Sequence, residues 1–388
     1  MTTATAPAPA SGYVPGLEGV VAAETRLSSV NGQAGELIIA GFPVEELASN
    51  ALFEETVYLL WNGELPTRQQ LTEFKSQLDA NAKLPDATLD LLRAAAKQKI
   101  APMDALRMAT STLNLNTPEM PGIDPLKRDA ILMVARFSVI VASYWRLLQG
   151  QEPVAPRSDL TYAGNYLYML FGQEPSADRA RGMATYLNTV SDHGLNASTF
   201  TARVIIATGS DMISAITGAI GALKGPLHGG APGPALDMVF DIQKEGNAEG
   251  YLRRKIEAGE RFMGFGHRVY KVRDPRADVL AVAAKRLYEA DGDMELYNLA
   301  GEVEQEALRL LEEYKPGRNL KTNVEFYTAL ILHGLDLPTE LFSPTFAVGR
   351  VGGWTAHCFE QVREGRLIRP QSVYTGPTDS QWVPIEQR

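Results

Sequence analysis

Apolar residues at helical spacing, repeatedly interrupted by proline and glycine, are the feature that most constrains how this chain can fold. Phe53, Val57 and Leu60 lie on one face if the chain is helical, and this stretch ends at Asn62-Gly63. Similar stretches follow, and prolines separate them at intervals suited to ordinary helices, namely Pro85, Pro102, Pro118, Pro153 and Pro175. The pattern predicts a mostly helical protein.

One region near the N-terminus has a different pattern. Between Val20 and Ile39, short runs with β-strand character flank Asn31-Gly32, a dipeptide that favours turns with positive φ. We therefore predict one small β-hairpin in an otherwise all-α fold.

The composition excludes several classes of protein. With 388 residues the chain is long enough for two domains, and its formal net charge of -9 argues against a general nucleic-acid binder, which needs a basic surface. Cys358 is the only cysteine, which excludes a disulfide within one chain and a thiolate metal cluster. Because this cysteine usage fits a reducing compartment, we expect a cytoplasmic location.

Two segments resemble targeting or membrane sequences in part of their composition. Residues 1–11 are rich in Ala, Thr and Pro and lack a basic region followed by an apolar stretch, so we expect a disordered leader. The most apolar stretch, from Ala130 to Leu148, contains Arg136 and Arg146. A buried helix explains it better than a membrane span, and no membrane partner is expected.

A change of composition predicts two domains. Glycine and proline are concentrated between Gly225 and Pro234, and the sequence is then more charged until it returns to apolar helical character after Asn323. We predict a large helical domain, residues 12–227 and 323–388, into which a smaller helical domain, residues 228–322, is inserted. Glycines and prolines near the crossings could act as hinges for domain closure.

Three of the five histidines lie in unusual local contexts. His193 follows Ser-Asp, His228 precedes two glycines, and His267 follows Gly-Phe-Gly. Glycine beside a polar side chain lets backbone and ligand approach closely. For His228 alone, the end of a helix with a glycine cap is the more ordinary interpretation.

A basic run follows His267 directly. Arg268, Lys271, Arg273 and Arg276 all lie within nine residues of it. Such a run usually marks a solvated helix face. On an acidic protein, and beside a glycine-flanked histidine, it also suits a polyanionic ligand.

Common metal and nucleotide motifs do not occur in the sequence. There is no His-Glu-x-x-His pair and no calcium-loop pattern of carboxylates, so no metal site is expected. The segment 264–266 lacks the third glycine of a dinucleotide motif, and the segment 225–233 has no Lys followed by Ser or Thr. A serine nucleophile in Gly-x-Ser-x-Gly form is also absent.

Together the motifs resemble those of citrate synthases, especially the shorter bacterial and archaeal type that includes 2-methylcitrate synthases. The strongest match is segment 264–276, Gly-Phe-Gly-His-Arg-Val-Tyr-Lys-Val-Arg-Asp-Pro-Arg, which fits the family signature at every constrained position. Further matches at 16–22, 63–67, 196–200 and 369–370 extend the resemblance over nearly the whole chain.

The resemblance implies an all-α homodimer that condenses acetyl-CoA, a co-substrate, with oxaloacetate and hydrolyses citryl-CoA to citrate and CoA, without a permanently bound cofactor. The residues implied to hold oxaloacetate are His193, His267, Arg276, Arg350 and, from the partner subunit, Arg369. Those implied to contact CoA are Met263, Gly264, Phe265, Gly266 and Lys271. Arginine suits a dicarboxylate because one guanidinium can hold one carboxylate through two parallel hydrogen bonds.

By the same resemblance, three residues would carry the chemistry. Glu325 would remove a methyl proton from the acyl thioester, His228 would donate a hydrogen bond to the developing enolate oxygen, and His267 would polarise the keto-acid carbonyl. A neutral His228 donates best, and a helix that begins near Pro234 would keep it unprotonated.

The sequence departs from the family pattern at three positions. The family usually has Asp, Glu and Asn where this chain has Glu325, Gly194 and Pro232. Glu has nearly the intrinsic pKa of Asp, but its side chain is longer, and misplacement by ~1 Å can cost about a hundredfold in rate. Three hypotheses therefore stay open: a citrate synthase, a 2-methylcitrate synthase that uses propionyl-CoA, and a non-catalytic relative that binds a metabolite.

Overall fold

The computed structural model describes residues 12–115, 117–228, 232–267, 269–290 and 294–388. A single-turn 3₁₀ helix, Pro15–Leu17, is followed by three short strands, β1 (Ser28–Asn31), β2 (Glu36–Ile39) and β3 (Phe42–Pro43). Sixteen α-helices follow in the described residues: α1 (Val44–Asn50), α2 (Phe53–Asn62), α3 (Arg68–Asn81), α4 (Asp86–Lys97), α5 (Pro102–Thr110), α6 (Pro125–Leu148), α7 (Tyr162–Phe171), α8 (Ala177–Thr189), α9 (Ala197–Ile206), α10 (Met212–Leu223), α11 (Pro232–Glu245), α12 (Ala248–Glu257), α13 (Pro275–Ala290), α14 (Met294–Tyr314), α15 (Val324–Gly334) and α16 (Phe342–Glu364). The predicted all-α class is confirmed. The predicted leader, residues 1–11, lies outside the described residues.

Local sequence places many of the helix ends. Gly63 ends α2 in the left-handed conformation with φ 83°. Thr67 caps α3, because its hydroxyl accepts from the Gln70 N–H while the Gln70 side chain accepts from the Thr67 N–H. Pro102 is the first residue of α5, where its missing N–H costs no hydrogen bond.

The predicted hairpin is present, but the predicted turn is wrong in detail. Strands β1 and β2 pair antiparallel through a four-residue loop, residues 32–35, and the positive φ of 71° belongs to Gly35. Gly32 is needed for another reason, since a Cβ there would lie 2.1 Å from the carbonyl oxygen of Val269. The Lys271 N–H also donates to the Gly32 carbonyl at 2.8 Å. The loop is therefore docked on the basic segment after His267.

Helix α6 is the centre of the core. Its residues from 129 to 144 are all buried, and it packs against α3, α4, α5, α7 and α16. By length and composition it is the one helix in the described part that could cross a membrane, with a mean hydropathy of 1.6, yet 78% of that window is buried inside the protein. This burial confirms the prediction of a core helix.

The helices around the site come from both predicted domains. Helices α11 to α14 belong to the segment predicted as the smaller domain, and α11 and α13 pack on α15. Helix α13 also packs on α1 and α8. The division into residues 12–227 with 323–388 and residues 228–322 stays a prediction, and residues 229–231 of the predicted hinge lie outside the described residues.

Candidate active site

Three rings form the centre of the candidate site. His193 lies in the loop after α8, and its Nε2 is 3.0 Å from the hydroxyl of Tyr270. The His267 ring lies 5.9 Å from the His193 ring and 4.9 Å from the Tyr270 ring, measured between centroids. Burial, together with Arg276 and Arg350, holds the pKa of His193 well below its ordinary value. The structure therefore brings together two histidines that are 74 residues apart in the sequence.

Backbone hydrogen bonds determine the tautomer of His267. Its Nδ1 accepts from the N–H groups of Val269 at 3.0 Å and Tyr270 at 3.2 Å, so a neutral ring carries its proton on Nε2. Burial, with Arg276 as the next cause, lowers the pKa of His267 to about 4. At neutral pH this side chain is an uncharged hydrogen-bond donor.

His228 is held in a similar way by Ser198, at the start of α9. The Ser198 N–H donates to His228 Nε2 at 3.3 Å, which leaves the proton of a neutral ring on Nδ1. The Ser198 hydroxyl lies 2.8 Å from the same Nε2 and accepts from Trp354 Nε1 at 3.1 Å. His228 lies beyond the end of α10 at Leu223, so the helix-cap interpretation is wrong.

His228 is neutral for a different main reason than the helix N-terminus expected from the sequence. A helix does begin nearby, at Pro232. However, burial is the main reason that the pKa of His228 is lowered to about 4, and Arg350 is the second. Taking an imidazolium out of water is costly, and a neighbouring cation adds to that cost.

Arg350, on α16, is a buried cation that forms no direct ion pair with another described residue. Its side chain is 1% exposed, its Nε donates to the Val190 carbonyl at 2.5 Å, and its guanidinium lies 4.7 Å from the ring centre of Phe346. The buried carboxylate of Asp192 acts on it through its charge, but no carboxylate of the described residues forms a direct ion pair with it. Burial lowers its pKa to about 10. Because an unpaired buried charge is costly, this position favours an anionic ligand.

Arg276, by contrast, is held by Asp274. The Arg276 Nε and Nη2 donate to the two Asp274 oxygens at 3.0 and 2.8 Å, and both side chains are buried. Asp274 also accepts from the N–H of Val324, the first residue of α15, at 3.2 Å. Burial alone would lower the pKa of Arg276, but Asp274 raises it overall. One carboxylate thus links the arginine to the helix that carries Glu325.

Glu325 lies in the first turn of α15, where Asn323 fixes the backbone. The Asn323 side chain accepts from the Glu325 N–H at 3.0 Å and donates to the Gly266 carbonyl at 2.8 Å. Burial raises the pKa of Glu325 to about 7, although the charge of Arg276 opposes this. A carboxylate with such a pKa can accept a proton at neutral pH.

The segment 263–266, predicted to contact CoA, is fastened to the chain that precedes Glu325. The Asn323 N–H donates to the Gly264 carbonyl at 2.9 Å, and the Gly266 N–H donates to the Lys321 carbonyl at 2.7 Å. Gly264 has φ 87° and lies so near Phe326 that a Cβ would be 2.9 Å from the Phe326 Cβ. Met263 and Phe265 are half-buried and Lys271 is exposed. Arg268, in the same basic run, lies outside the described residues.

Arg369 is not part of this cluster within one chain. It is exposed and follows the end of α16 at Glu364. None of the hydrogen bonds or ion pairs of the described residues joins it to the histidines or to the other two arginines. Its predicted place, in the site of a partner subunit, stays a prediction.

Sequence reasoning missed four residues that support this site. Tyr270 and Asp274 lie inside the signature segment, and Ser198 lies inside the matched segment 196–200. The motifs therefore contained these residues but did not indicate which side chains they contact. Trp354 carried no such signal, because its partner Ser198 is 156 residues away.

Gly194, one of the three departures from the family pattern, has φ 58°, and its N–H donates to Ser28 Oγ at 2.7 Å.

Comparison with known proteins identifies the family. A family profile described as "Citrate synthase, C-terminal domain" matches residues 16–371. The chain belongs to the citrate synthase family. Citrate synthase 2 of Bacillus subtilis is 43% identical over 375 residues, covering 96% of this chain and 98% of the relative. The 2-methylcitrate synthase of Shewanella oneidensis is 38% identical over 374 residues, covering 96% of this chain and 97% of the relative.

Solved structures of citrate synthases have the same fold. That of Pyrobaculum aerophilum has a TM-score of 0.88 and 36% identity, covering 100% of this chain and 98% of the other. That of the thermophilic archaeon Thermoplasma acidophilum, a ternary complex with carboxymethyl coenzyme A and oxaloacetate, has a TM-score of 0.86 and 32% identity, covering 96% and 99%. The predicted family and enzyme class, an acyltransferase of the citrate synthase type, are confirmed.

Proposed function

We propose that this chain condenses acetyl-CoA with oxaloacetate and hydrolyses the resulting citryl-CoA to citrate and CoA. The observation that carries the proposal is the buried guanidinium of Arg350, which has no direct ion pair among the described residues and acts through its charge on the neutral His193, beside which His267 lies. A dicarboxylic keto acid supplies the missing negative charge and a carbonyl oxygen for the histidine donors. The Thermoplasma acidophilum relative holds oxaloacetate in its crystal structure, which supports this choice.

Oxaloacetate would be held by charge and by neutral donors. Arg350 would bind one carboxylate, and Arg276, already oriented by Asp274, would bind with the N–H groups that it does not give to Asp274. The Nε2–H of His267 would donate to the keto carbonyl and make its carbon more electrophilic.

The carbon nucleophile would come from acetyl-CoA. Glu325 would take a proton from the thioester methyl group while the Nδ1–H of His228 donates to the thioester oxygen, which becomes an enolate. The methyl carbon would then attack the keto carbon, and the new alkoxide would take its proton from His267 Nε2. His267 would regain a proton from solvent, and Glu325 would release the methyl proton to solvent, which restores both residues. Water would cleave the citryl thioester, which gives citrate and free CoA.

The CoA site is proposed at segment 263–266 with Lys271. The two left-handed glycines of that segment expose backbone to a flat adenine, and a lysine suits the CoA phosphates as a point charge. Acetyl-CoA would act as a co-substrate, and we propose no permanently bound cofactor.

We also propose that the protein is a cytoplasmic homodimer. Each active site would then be formed by residues of both subunits. Residues 365–384 form neither helix nor strand in this described stretch, and they expose Leu367, Tyr374 and Trp382. Exposed apolar side chains on an extended arm favour contact with a second copy, which would bring Arg369 into the partner's site. Mixing Arg369→Ala chains with His267→Ala chains should then restore activity through hybrid dimers, and no recovery after proven subunit exchange would refute sharing.

A 2-methylcitrate synthase is the second candidate, because a relative with that name is 38% identical over nearly its full length. The two reactions differ by one methylene of the acyl chain. A pocket discriminates one methylene by only about 1–3 kcal/mol, so the substrate must be measured.

The test is CoA release with oxaloacetate, in which acetyl-CoA and propionyl-CoA are compared by kcat/KM. Glu325→Gln is the matched variant, because it keeps size and removes proton affinity. We expect acetyl-CoA to be preferred and Glu325→Gln to lower turnover by ~100-fold to ~10,000-fold. Preference for propionyl-CoA would establish the second candidate. No CoA release with either thioester, or wild-type turnover in Glu325→Gln, would refute the proposed mechanism.

A further inference from the structure

A buried carboxylate outside the catalytic cluster lies directly behind Glu325. Glu304, on α14, accepts from the Thr322 hydroxyl at 2.5 Å and from Arg273 Nη1 through one oxygen, and from the Tyr327 hydroxyl at 2.6 Å through the other. Glu304, Thr322 and Tyr327 are each less than 10% exposed. Three donors thus satisfy one carboxylate in a nearly water-free place.

Two of these donors lie on either side of Glu325 in the sequence. Thr322 immediately precedes the N-cap residue Asn323, and Tyr327 lies two positions after Glu325 in the first turn of α15. Residues two apart in a helix project about 200° from each other, so Tyr327 and Glu325 lie on opposite faces. Glu304 therefore holds the rear of this turn while Glu325 occupies the front.

The same carboxylate is connected to the other parts of the site. Thr322 pairs with Phe265 of the proposed CoA segment as an isolated β-bridge, and its carbonyl accepts from the Asp274 N–H at 3.2 Å. Arg273 comes from the signature segment, and its guanidinium lies 5.7 Å from the ring centre of Tyr327. Glu304 also makes the Tyr327 hydroxyl harder to ionise, because burial and this hydrogen bond both raise its pKa. Tyr327 therefore remains a hydrogen-bond donor at neutral pH.

We propose that Glu304 is a positioning residue, which sets the rotation and depth of the first turn of α15 and so the distance of Glu325 from the thioester methyl group. This inference rests on the proposed role of Glu325 as the base. Side chains that reach the substrate depend on such support, since a shift of ~1 Å can cost about a hundredfold in rate. Oxaloacetate affinity should depend on it much less, because Arg350 and His193 are held by other contacts. Thr322 reaches the Asp274–Arg276 pair only through its backbone carbonyl.

Substitutions of the two hydroxyl donors test this role without removing the buried charge. Tyr327→Phe and Thr322→Val should each lower kcat by ~10-fold to ~100-fold, whereas the Kd of oxaloacetate should change less than ~2-fold. Thr322→Ser keeps the hydroxyl and should restore kcat to within ~3-fold of wild type, by the same reasoning. Tyr144→Phe is the matched control, because it removes a buried tyrosine hydroxyl on α6, outside the Glu304 network, that donates to the Ile100 carbonyl at 2.5 Å.

A purely structural role predicts other results. If Tyr327→Phe and Thr322→Val keep wild-type kcat, or if they weaken oxaloacetate binding as much as they lower kcat, the inference is wrong. It is also wrong if Tyr144→Phe lowers kcat as strongly. Glu325→Gln separates this failure from failure of the proposed function: if that variant loses methyl-proton exchange while the two hydroxyl variants retain it, Glu325 is the base and Glu304 does not position it.

Discussion

Two buried arginines, Arg203 on α9 and Arg350 on α16, have opposite surroundings. Arg203 is 3% exposed and its guanidinium donates to Glu360 at 2.7 Å, to Gln361 at 2.9 Å and to His357 Nδ1 at 3.1 Å. Arg350 is 1% exposed, and no carboxylate of the described residues is hydrogen-bonded to it, although Asp192 acts on it through its charge. The comparison teaches that burial of a cation alone does not indicate a ligand site, whereas a buried cation without a direct carboxylate partner favours an anionic ligand.

The pairing of Arg203 also orders the catalytic loop. Because Arg203 donates to His357 Nδ1, a neutral His357 donates through Nε2, and its acceptor is Asp192 Oδ1 at 3.1 Å. Asp192 precedes His193, and its other oxygen accepts from Ser28 of β1 at 2.5 Å. The network around Arg203 therefore fixes the loop that carries His193. Arg350, which has no direct carboxylate partner, leaves room for an anionic ligand.

The largest effect should come from breaking the complete pair. Arg203→Met leaves Glu360 buried without its cation, so the free energy of unfolding should fall by about 3–5 kcal/mol. Urea unfolding monitored by circular dichroism measures this loss. The double variant Arg203→Met/Glu360→Leu should recover much of it, and a single variant as stable as wild type would contradict the assignment of this pair as structural.

Removing Arg350 should reduce ligand affinity much more than it reduces stability. Arg350→Met should change the stability of the free protein much less than Arg203→Met does, since it removes a buried charge that has no direct ion pair. Asp192 keeps His357 and Ser28 as partners. It should weaken oxaloacetate binding by about 2–4 kcal/mol, because the substrate carboxylate then remains unpaired. Calorimetric titration gives the affinity, and an unchanged Kd would mean that the anion binds elsewhere.

Ligand-induced stabilisation gives a smaller and independent measure of the same comparison. Oxaloacetate at 100 times its Kd should stabilise the wild-type protein by about 2.7 kcal/mol. At that same concentration Arg350→Met should gain little. Thermal unfolding with and without oxaloacetate shows both effects, and equal stabilisation of the two proteins would remove Arg350 from the binding site.

The smallest expected effect is the pH dependence of kcat/KM, which distinguishes the role of Glu325 from that of Arg350. Since burial raises the pKa of Glu325 to about 7, the ionised form declines below that pH, and kcat/KM for acetyl-CoA should fall about tenfold for each pH unit. The pKa values of His228 and His267 are lowered to about 4, so neither should add a second decline above pH 5. Arg350→Met should lower the rate without moving the midpoint, and a profile flat from pH 5 to 8 would exclude Glu325 as the base.

The raised pKa of Glu325 also makes the stability of the folded protein depend on pH. The folded protein binds a proton at Glu325 more tightly than the unfolded chain does, so this stabilisation is complete below the ordinary pKa of 4.5 and is lost as pH rises through about 7. Glu325→Gln should therefore raise the Tm more at pH 8 than at pH 5. An equal change at both values would argue against a raised pKa.

The sequence by itself determined the helical class, the hairpin and the residue types of the site. Helical periodicity, prolines and caps act within a few residues, so they could be interpreted without contacts. The signature segment 264–276 was specific enough to indicate the family and with it the candidate residues. The role of Glu325 could be named from its motif, but its raised pKa could not, because burial depends on all the elements around it.

Only the tertiary structure decided which charges are paired and which ring nitrogens carry protons. Arg203 and His357 are 154 residues apart and Ser198 and Trp354 are 156 apart, so no local pattern reports their contact. Gly32 looked like a turn residue, yet it is required by the backbone of Val269, which approaches from a distant segment. The physical reason is common to all three: a sequence pattern shows which face of an element is apolar, whereas electrostatics and close packing depend on which distant element meets that face.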